Sequence, residues 1–170
     1  TEQKGSKTYF EHSIKAENPV KITFQGFEKA NLNVLSKSSV LLNGNVNAGN
    51  TGALTMTSQN GGIDSKSSQA QLTAKDISLS AKNGIGDKMG VNVALKGGVL
   101  TANNSESGNI DLRSTSSVVF GSIVNNGGNV NLTGLYGISS KDSASIIQGD
   151  SITMSADFGA ITGANGDAGG

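Results

Sequence analysis

The 170-residue sequence predicts an all-β domain wound as a parallel β-solenoid, and three observations carry that prediction. Short apolar-polar-apolar runs recur at intervals just above 20 residues. Gly, Ser, Asn and Thr fill 77 of the 170 positions, a supply of corners and solvated faces rather than of layered core. No convincing stretch shows the 3.6-residue apolar period of an amphipathic helix. A unit of about 20 residues cannot bury its own apolar side chains, so it must stack on copies of itself.

Composition narrows the function classes. Thirteen basic side chains balance thirteen acidic ones, so the Lys/Arg excess that would bind nucleic acid or an anionic membrane is missing. With one His and no Cys, the usual zinc, thiol and disulfide chemistries lack their residues. No apolar run reaches the roughly 18–20 residues that span a bilayer as a helix. The opening Thr1-Glu2-Gln3-Lys4 has neither an initiating Met nor a signal-peptide core, so a piece of a longer protein is expected.

Along the chain, residues 1–38 hold ten of the 26 charged side chains, Lys and Glu without Asp. The same segment has Tyr9, Phe10, Phe24, Phe27 and the one Pro, Pro19. Val20-Lys21-Ile22-Thr23-Phe24 alternates like a strand with one buried face. Residues 1–31 are therefore expected to form an irregular charged lead-in or cap, and residues 32–170 the repeat region.

Within that region one template fits Leu54–Gly61, Ile77–Gly84, Val130–Gly137 and Ile152–Gly159: apolar, polar, apolar, three variable positions, a planar side chain, then Gly. A further apolar residue follows each Gly: Ile63, Ile85, Ile138 and Ile161. Ile110-Asp111-Leu112 is a fifth copy, with Ser117 in place of the Gly. A second template precedes three of these runs, at Val40-Leu41-Leu42, Val93-Ala94-Leu95 and Val118-Val119-Phe120. The first-template starts lie 23, 33, 20 and 22 residues apart, which suggests an insertion around residues 86–109.

In a stacked coil, alternate residues point into a narrow lumen. Leu54/Met56, Ile77/Leu79, Ile110/Leu112, Val130/Leu132 and Ile152/Met154 are the expected inward pairs, with Leu54, Ile77, Val130 and Ile152 in one common column. Gly after the planar residue suits a corner of positive φ. Asn60 and Asn83 are expected to form an amide ladder, and Tyr136 and Phe158 to stack at the equivalent corner. Six or seven coils spaced ~4.8 Å apart would make a rod about 30 Å long. The Gly-rich end, Gly163–Gly170, is too weak a cap, so continuation of the rod is expected.

These units resemble the filamentous haemagglutinin-like repeats of two-partner-secretion exoproteins, which include large adhesins and contact-dependent inhibition proteins of Gram-negative bacteria. The matching residues are Val40–Asn50, Gly128–Thr133, Ile77–Gly86 and Ile152–Ala156, and the likeness extends over about residues 32–165. It implies a right-handed parallel β-helix, export of the full-length parent through an outer-membrane β-barrel transporter, and a secreted or outer-cell-surface location. Cell adhesion and virulence are the implied roles, with a host-cell or bacterial surface receptor or glycan as the contact, and no nucleic acid or membrane insertion. Glu17-Asn18-Pro19-Val20 departs from the family's NPNG- or NPNL-type secretion motif after Asn-Pro, so the export signal is not expected in this segment.

No catalytic, cofactor or metal residue is assigned, and a non-catalytic rod segment is the leading reading. The alternative is a carbohydrate-active β-helix enzyme, a polysaccharide lyase or hydrolase, which needs acids converging on one outward face. Asp64, Asp76, Asp87, Asp111, Asp142, Asp150, Asp157 and Asp167 are instead scattered singly. Asp76 and Asp150 precede strands as Asn109 and Asn129 do, which suits a turn-forming role. His12 is read as solvated, and Arg113, the only Arg, as an edge charge that could alternatively serve a carbohydrate-binding face. Asn83–Lys88 lacks Walker spacing, and Gly163–Asp167 is a poor approximation to a calcium-binding nonapeptide. Asn103-Asn104-Ser105 and Asn131-Leu132-Thr133 are formal glycosylation sequons, read as chance matches. Residues 1–38 and 86–109 are the segments where a receptor contact is looked for.

Overall fold

A computed structural model describes residues 31–163, so His12, the Val20–Phe24 alternation, Asp167 and almost all of the lead-in and Gly-rich end lie outside the described residues. Within them the chain forms sixteen strands and no helix. Every strand pairing is parallel, between residues about one coil apart in sequence. That arrangement is a β-solenoid of about six turns.

The first coil runs through β1 (Leu32–Ser36), β2 (Val40–Leu42) and β3 (Val46–Asn47). The second repeats it as β4 (Ala53–Ser58), β5 (Ile63–Ser65) and β6 (Gln71–Ala74). The third has β7 (Asp76–Ala81), a single bridge at Ile85, and β8 (Val91–Leu95). The fourth has β9 (Leu100–Asn104) and β10 (Ile110–Ser114), and the fifth β11 (Val118–Asn125) and β12 (Val130–Gly134). The sixth has β13 (Ile138–Ser140), β14 (Ile146–Gln148) and β15 (Ile152–Ala156), after which β16 (Ile161–Thr162) begins another turn.

One sheet stacks β1, β4, β7, β9, β11, β13 and β16, with β14 also pairing β11, and the opposite side stacks β3, β6, β8, β10, β12 and β15. Between them β2 pairs β5, and the bridges from Ile63 to Ile85 and from Ile85 to Ile110 carry that line into β10. In the first three coils the second side is thus broken by a loop. From the fourth coil it is one continuous strand, because Ile110 aligns with Ile85 while Leu112 aligns with Val91. The residues 86–90 that separate Ile85 from Val91 are replaced by Asp111 alone, and the rod has a step there.

Alternation places one set of side chains in the lumen. Leu54, Met56, Ile77, Leu79, Ile110, Leu112, Val130 and Leu132 are all buried, in agreement with the inward pairs read from the sequence. Ile152 differs at 42% exposed, because among the described residues it lies on the last coil and has a stacking neighbour on one side only. Full burial of each such side chain stabilises the fold by about 1.5–3 kcal/mol, and a coil contributes several.

The single expected column is in fact two. Leu54 and Ile77 stack with Leu32 and Leu100 in the first sheet, whereas Ile110, Val130 and Ile152 stack with Val40, Ile63 and Ile85 on the other side. The 33-residue interval from Ile77 to Ile110 therefore contains one coil plus a passage between sheets, and no 24-residue insertion exists. The interval from Ile85 to Ile110 is 25 residues against 20 from Ile110 to Val130, and most of the difference is the loop at 86–90. The second template also dissolves: Val40 stacks on Ile63, Val93 on Leu72 and Val118 on Ile138, at three different places around the coil.

Candidate functional site

Side-chain chemistry at the coil edges serves mainly to tie one coil to the next. Asn31 Oδ1 accepts the Ala53 N–H at 3.0 Å, Asp76 Oδ1 accepts Val99 N–H at 2.8 Å, and Asn109 Oδ1 accepts Asn129 N–H at 3.0 Å. Each acceptor stands at the entry to a strand, and each donor occupies the same place one coil later. Asp87 Oδ1 likewise accepts Asn109 N–H at 2.7 Å, and Asp64 Oδ1 accepts Lys88 N–H at 3.0 Å. The expected turn-forming role of Asp76 is thereby corrected, since its partner lies 23 residues away. A carboxylate or amide oxygen at that point satisfies a strand-entry N–H that the ladder leaves free.

The corners also depart in part from expectation. Gly84 and Gly137 do have positive φ, 94° and 131°, but Gly61 and Gly159 do not. Gly159 is required for another reason: a Cβ there would stand 2.1 Å from the Tyr136 carbonyl oxygen. Asn60 and Asn83 do not pair amide to amide. Asn60 Nδ2 donates to Lys37 O at 3.0 Å and Asn83 Nδ2 to Asn60 O at 3.4 Å, each bonding to the coil below.

The amide pair that does form is Asn104 with Asn125, both buried, a pairing the sequence reading missed. The only signal available for it was two Asn residues 21 positions apart at the ends of successive strands of one sheet.

Among the described residues the aspartates are dispersed over several coils. Asp64 and Asp87 are bonded to backbone beside the step, while Asp142, Asp150 and Asp157 lie exposed on the last coil. Asp111 grips Arg113 through Nε at 3.2 Å and Nη2 at 2.8 Å. The hydrogen bond to Asp111, and secondarily its charge, holds the Arg113 pKa above the ordinary guanidinium value, with burial opposing slightly. Arg113 is therefore charged at any physiological pH, in an exposed pair of small energetic weight. Among the described residues no three His, Cys, Asp or Glu side chains are placed to hold a metal ion. No helix of the described residues is long and apolar enough to cross a membrane.

Two surfaces remain as candidates for contact. The outer face of the first sheet presents Thr55, Thr57, Ser78, Ser80, Thr101 and Asn103, and the sole charged residue in its strands is Asp76 at the entry to β7. The sequon residue Asn103 is exposed on this face, and Asn131 is half-buried in β12. The second surface is the corner where Tyr136 and Phe158, as anticipated, lie against each other across successive coils. Their ring centroids are 6.3 Å apart with planes tilted by 36°. This corner joins β12 to β13 and β15 to β16, so it is not the one occupied by Asn60 and Asn83.

No family model, curated protein or solved structure matches the chain.

Proposed function

We propose that the chain is a structural rod segment of a large secreted or cell-surface bacterial exoprotein of the filamentous haemagglutinin-like, two-partner-secretion kind. Its mechanism is mechanical: stacked coils hold binding or effector regions of the parent away from the cell. The observation that supports this is the use of side-chain oxygens between coils. Asp64, Asp76, Asp87 and Asn109 each accept a backbone N–H about one coil away, adding cross-links to the parallel strand ladder. Such a stack resists bending and shear because bending must lengthen many hydrogen bonds together. A lyase or hydrolase would instead need acids left free to meet a substrate.

The test uses the full reading frame that contains this segment. An antibody raised against residues 31–163 should label intact cells, and labelling should vanish when the gene for the cognate outer-membrane barrel is deleted. Labelling confined to lysed cells overturns the reading. So does release of unsaturated or reducing sugar ends from a polysaccharide by the purified chain.

A further inference from the structure

We propose that Asn43-Gly44 is a built-in modification site, where the Asn43 amide converts unaided to aspartate and isoaspartate through a succinimide, while the same dipeptide elsewhere in the rod is protected by coil stacking. The proposal concerns the chain's own covalent chemistry and is independent of the rod reading.

Asn-Gly occurs four times among the described residues, at Asn43-Gly44, Asn60-Gly61, Asn83-Gly84 and Asn126-Gly127. In such a pair the Gly nitrogen can attack the preceding side-chain carbonyl carbon, since no Cβ screens it and glycine backbone turns readily into the ring geometry. At Asn43 the step passes the Gly44 amide proton to water, forms a bond from the Gly44 nitrogen to Asn43 Cγ, and expels Nδ2 as ammonia. Water then opens the five-membered imide at either carbonyl, leaving aspartate or isoaspartate. Water is the only co-reactant, and nothing is oxidised or reduced.

What separates the four sites is whether the fold holds the attacking and leaving groups. Asn43 and Gly44 lie exposed in the bend between β2 and β3, and nothing stands within 4 Å of a Cβ placed on Gly44. Among the described residues neither the Asn43 amide nor the Gly44 N–H has a hydrogen-bond partner. The other three pairs are tied down. Asn60 Nδ2 donates to Lys37 O at 3.0 Å, and the carbonyl of the buried Gly61 accepts the Lys82 and Asn83 N–H groups. Asn83 Nδ2 donates to Asn60 O at 3.4 Å, and the Gly84 N–H is held by Asn104 Oδ1 at 2.7 Å. The Gly127 N–H donates to Asn125 Oδ1 at 3.2 Å, with Glu106 O directly against the place of its absent Cβ. Ring closure at these three requires stacked coils to open locally first, which shrinks the reactive population. The product at Asn43 is also accommodated. Leu42 is in register with Ser65, so position 43 adjoins Lys66, and a new carboxylate there stands beside a lysine of the next coil.

The test incubates the purified 170-residue chain at neutral pH, once folded and once in urea, and follows each Asn-Gly pair by peptide mass spectrometry with isoaspartate labelling. Asn165-Gly166, outside the described residues, is read as its own peptide. In the folded chain Asn43 should convert at least about tenfold faster than Asn60, Asn83 or Asn126. In urea the four rates should come within about threefold of one another, because the stacking that protects three of them is gone. Gly44→Ala should slow conversion at Asn43 by about tenfold or more with melting unchanged, since its Cβ screens the nitrogen but meets no neighbour. Equal folded-state rates at the four sites, an advantage of Asn43 that persists undiminished in urea, or undiminished conversion in Gly44→Ala overturns the proposal.

Discussion

Asn104 Nδ2 donates to Asn125 Oδ1 at 2.9 Å, joining the fourth and fifth coils through two amides that are 0% and 2% exposed. The pair is fully woven into backbone. Asn104 Oδ1 accepts Gly84 N–H at 2.7 Å, and its Nδ2 also contacts Ser107 O at 2.8 Å and Gly108 O at 3.1 Å. Asn125 Nδ2 donates to Gly108 O at 3.0 Å and Asn129 O at 2.9 Å. Amides suit the place because each offers both donors and acceptors to a turn whose backbone groups are shielded from water.

Asn104→Ala should therefore cost about 2–4 kcal/mol, because it removes the side-chain acceptor of the Gly84 N–H and the amide donor to Ser107 O and Asn125 Oδ1 in the interior. Urea unfolding is the measurement, with the midpoint lowered and the slope unchanged. Asn104→Asp should do no better, since it restores the acceptor but buries a charge facing carbonyl oxygens. Parent-like midpoints for both would mean that this column carries no net stability.

Leu132→Ala should lose about 2–4 kcal/mol through lost burial and a cavity, whereas Ile152→Ala should lose about 1 or less. The two positions belong to the same sequence template, and sequence alone ranks them equally. Their exposures, 1% and 42%, separate them, because Leu132 has a coil on each side and Ile152 has one. Equal destabilisation would contradict the placement of β15 at the margin of the described stack.

That contrast marks where the sequence was legible. An apolar-polar-apolar run reveals a strand feeding the lumen, because only apolar side chains fit there, and the recurrence reveals stacking. It does not reveal which sheet the strand joins, since both sheets feed the same lumen with the same alternation. Ile77 and Ile110 were thus placed in one column although they belong to different sheets. The Tyr136–Phe158 contact was legible because both rings precede Gly at the same place in the template. Asn104 and Asn125 were not, because a buried Asn and a corner Asn look alike in a chain so rich in the residue.

Gly86→Ala should destabilise by about 3 kcal/mol or more, combining left-handed backbone with a steric clash. Gly86 has φ of 72°, and an added Cβ would stand 2.3 Å from Asp111 O across the step. Gly44 provides the control, as nothing lies within 4 Å of its Cβ position. Gly44→Ala should change stability by no more than about 0.5 kcal/mol. If the two melts coincide, the loop at 86–90 does not pack against β10.

Ser65→Ala should be neutral or stabilising by up to about 1 kcal/mol, an unusual outcome for a residue only 5% exposed. Ser65 aligns with the buried Leu42 and shares the inward side of β5 with Ile63, and its Oγ has no hydrogen-bond partner. Removing the hydroxyl removes an unmet desolvation cost and leaves little void. A loss above about 1 kcal/mol would show instead that the hydroxyl is satisfied, as by an ordered water.

Asp76→Ala and Asp76→Asn separate an inter-coil role from a local turn. The Asp76 carboxylate accepts the Val99 N–H at 2.8 Å, while its own backbone pairs with Ala53 in the preceding coil. Alanine removes the acceptor and should cost about 1–2 kcal/mol. Asparagine keeps an oxygen at the same place, as Asn31 does two coils earlier, and should recover most of the loss. The decisive reading is amide hydrogen exchange. Val99 should lose protection in the alanine variant and regain it in the asparagine variant, with Ser78 and Leu79 unaffected in both. Loss of protection spread evenly along β7 would instead assign Asp76 to holding its own strand entry, and the cross-coil bond would then be incidental.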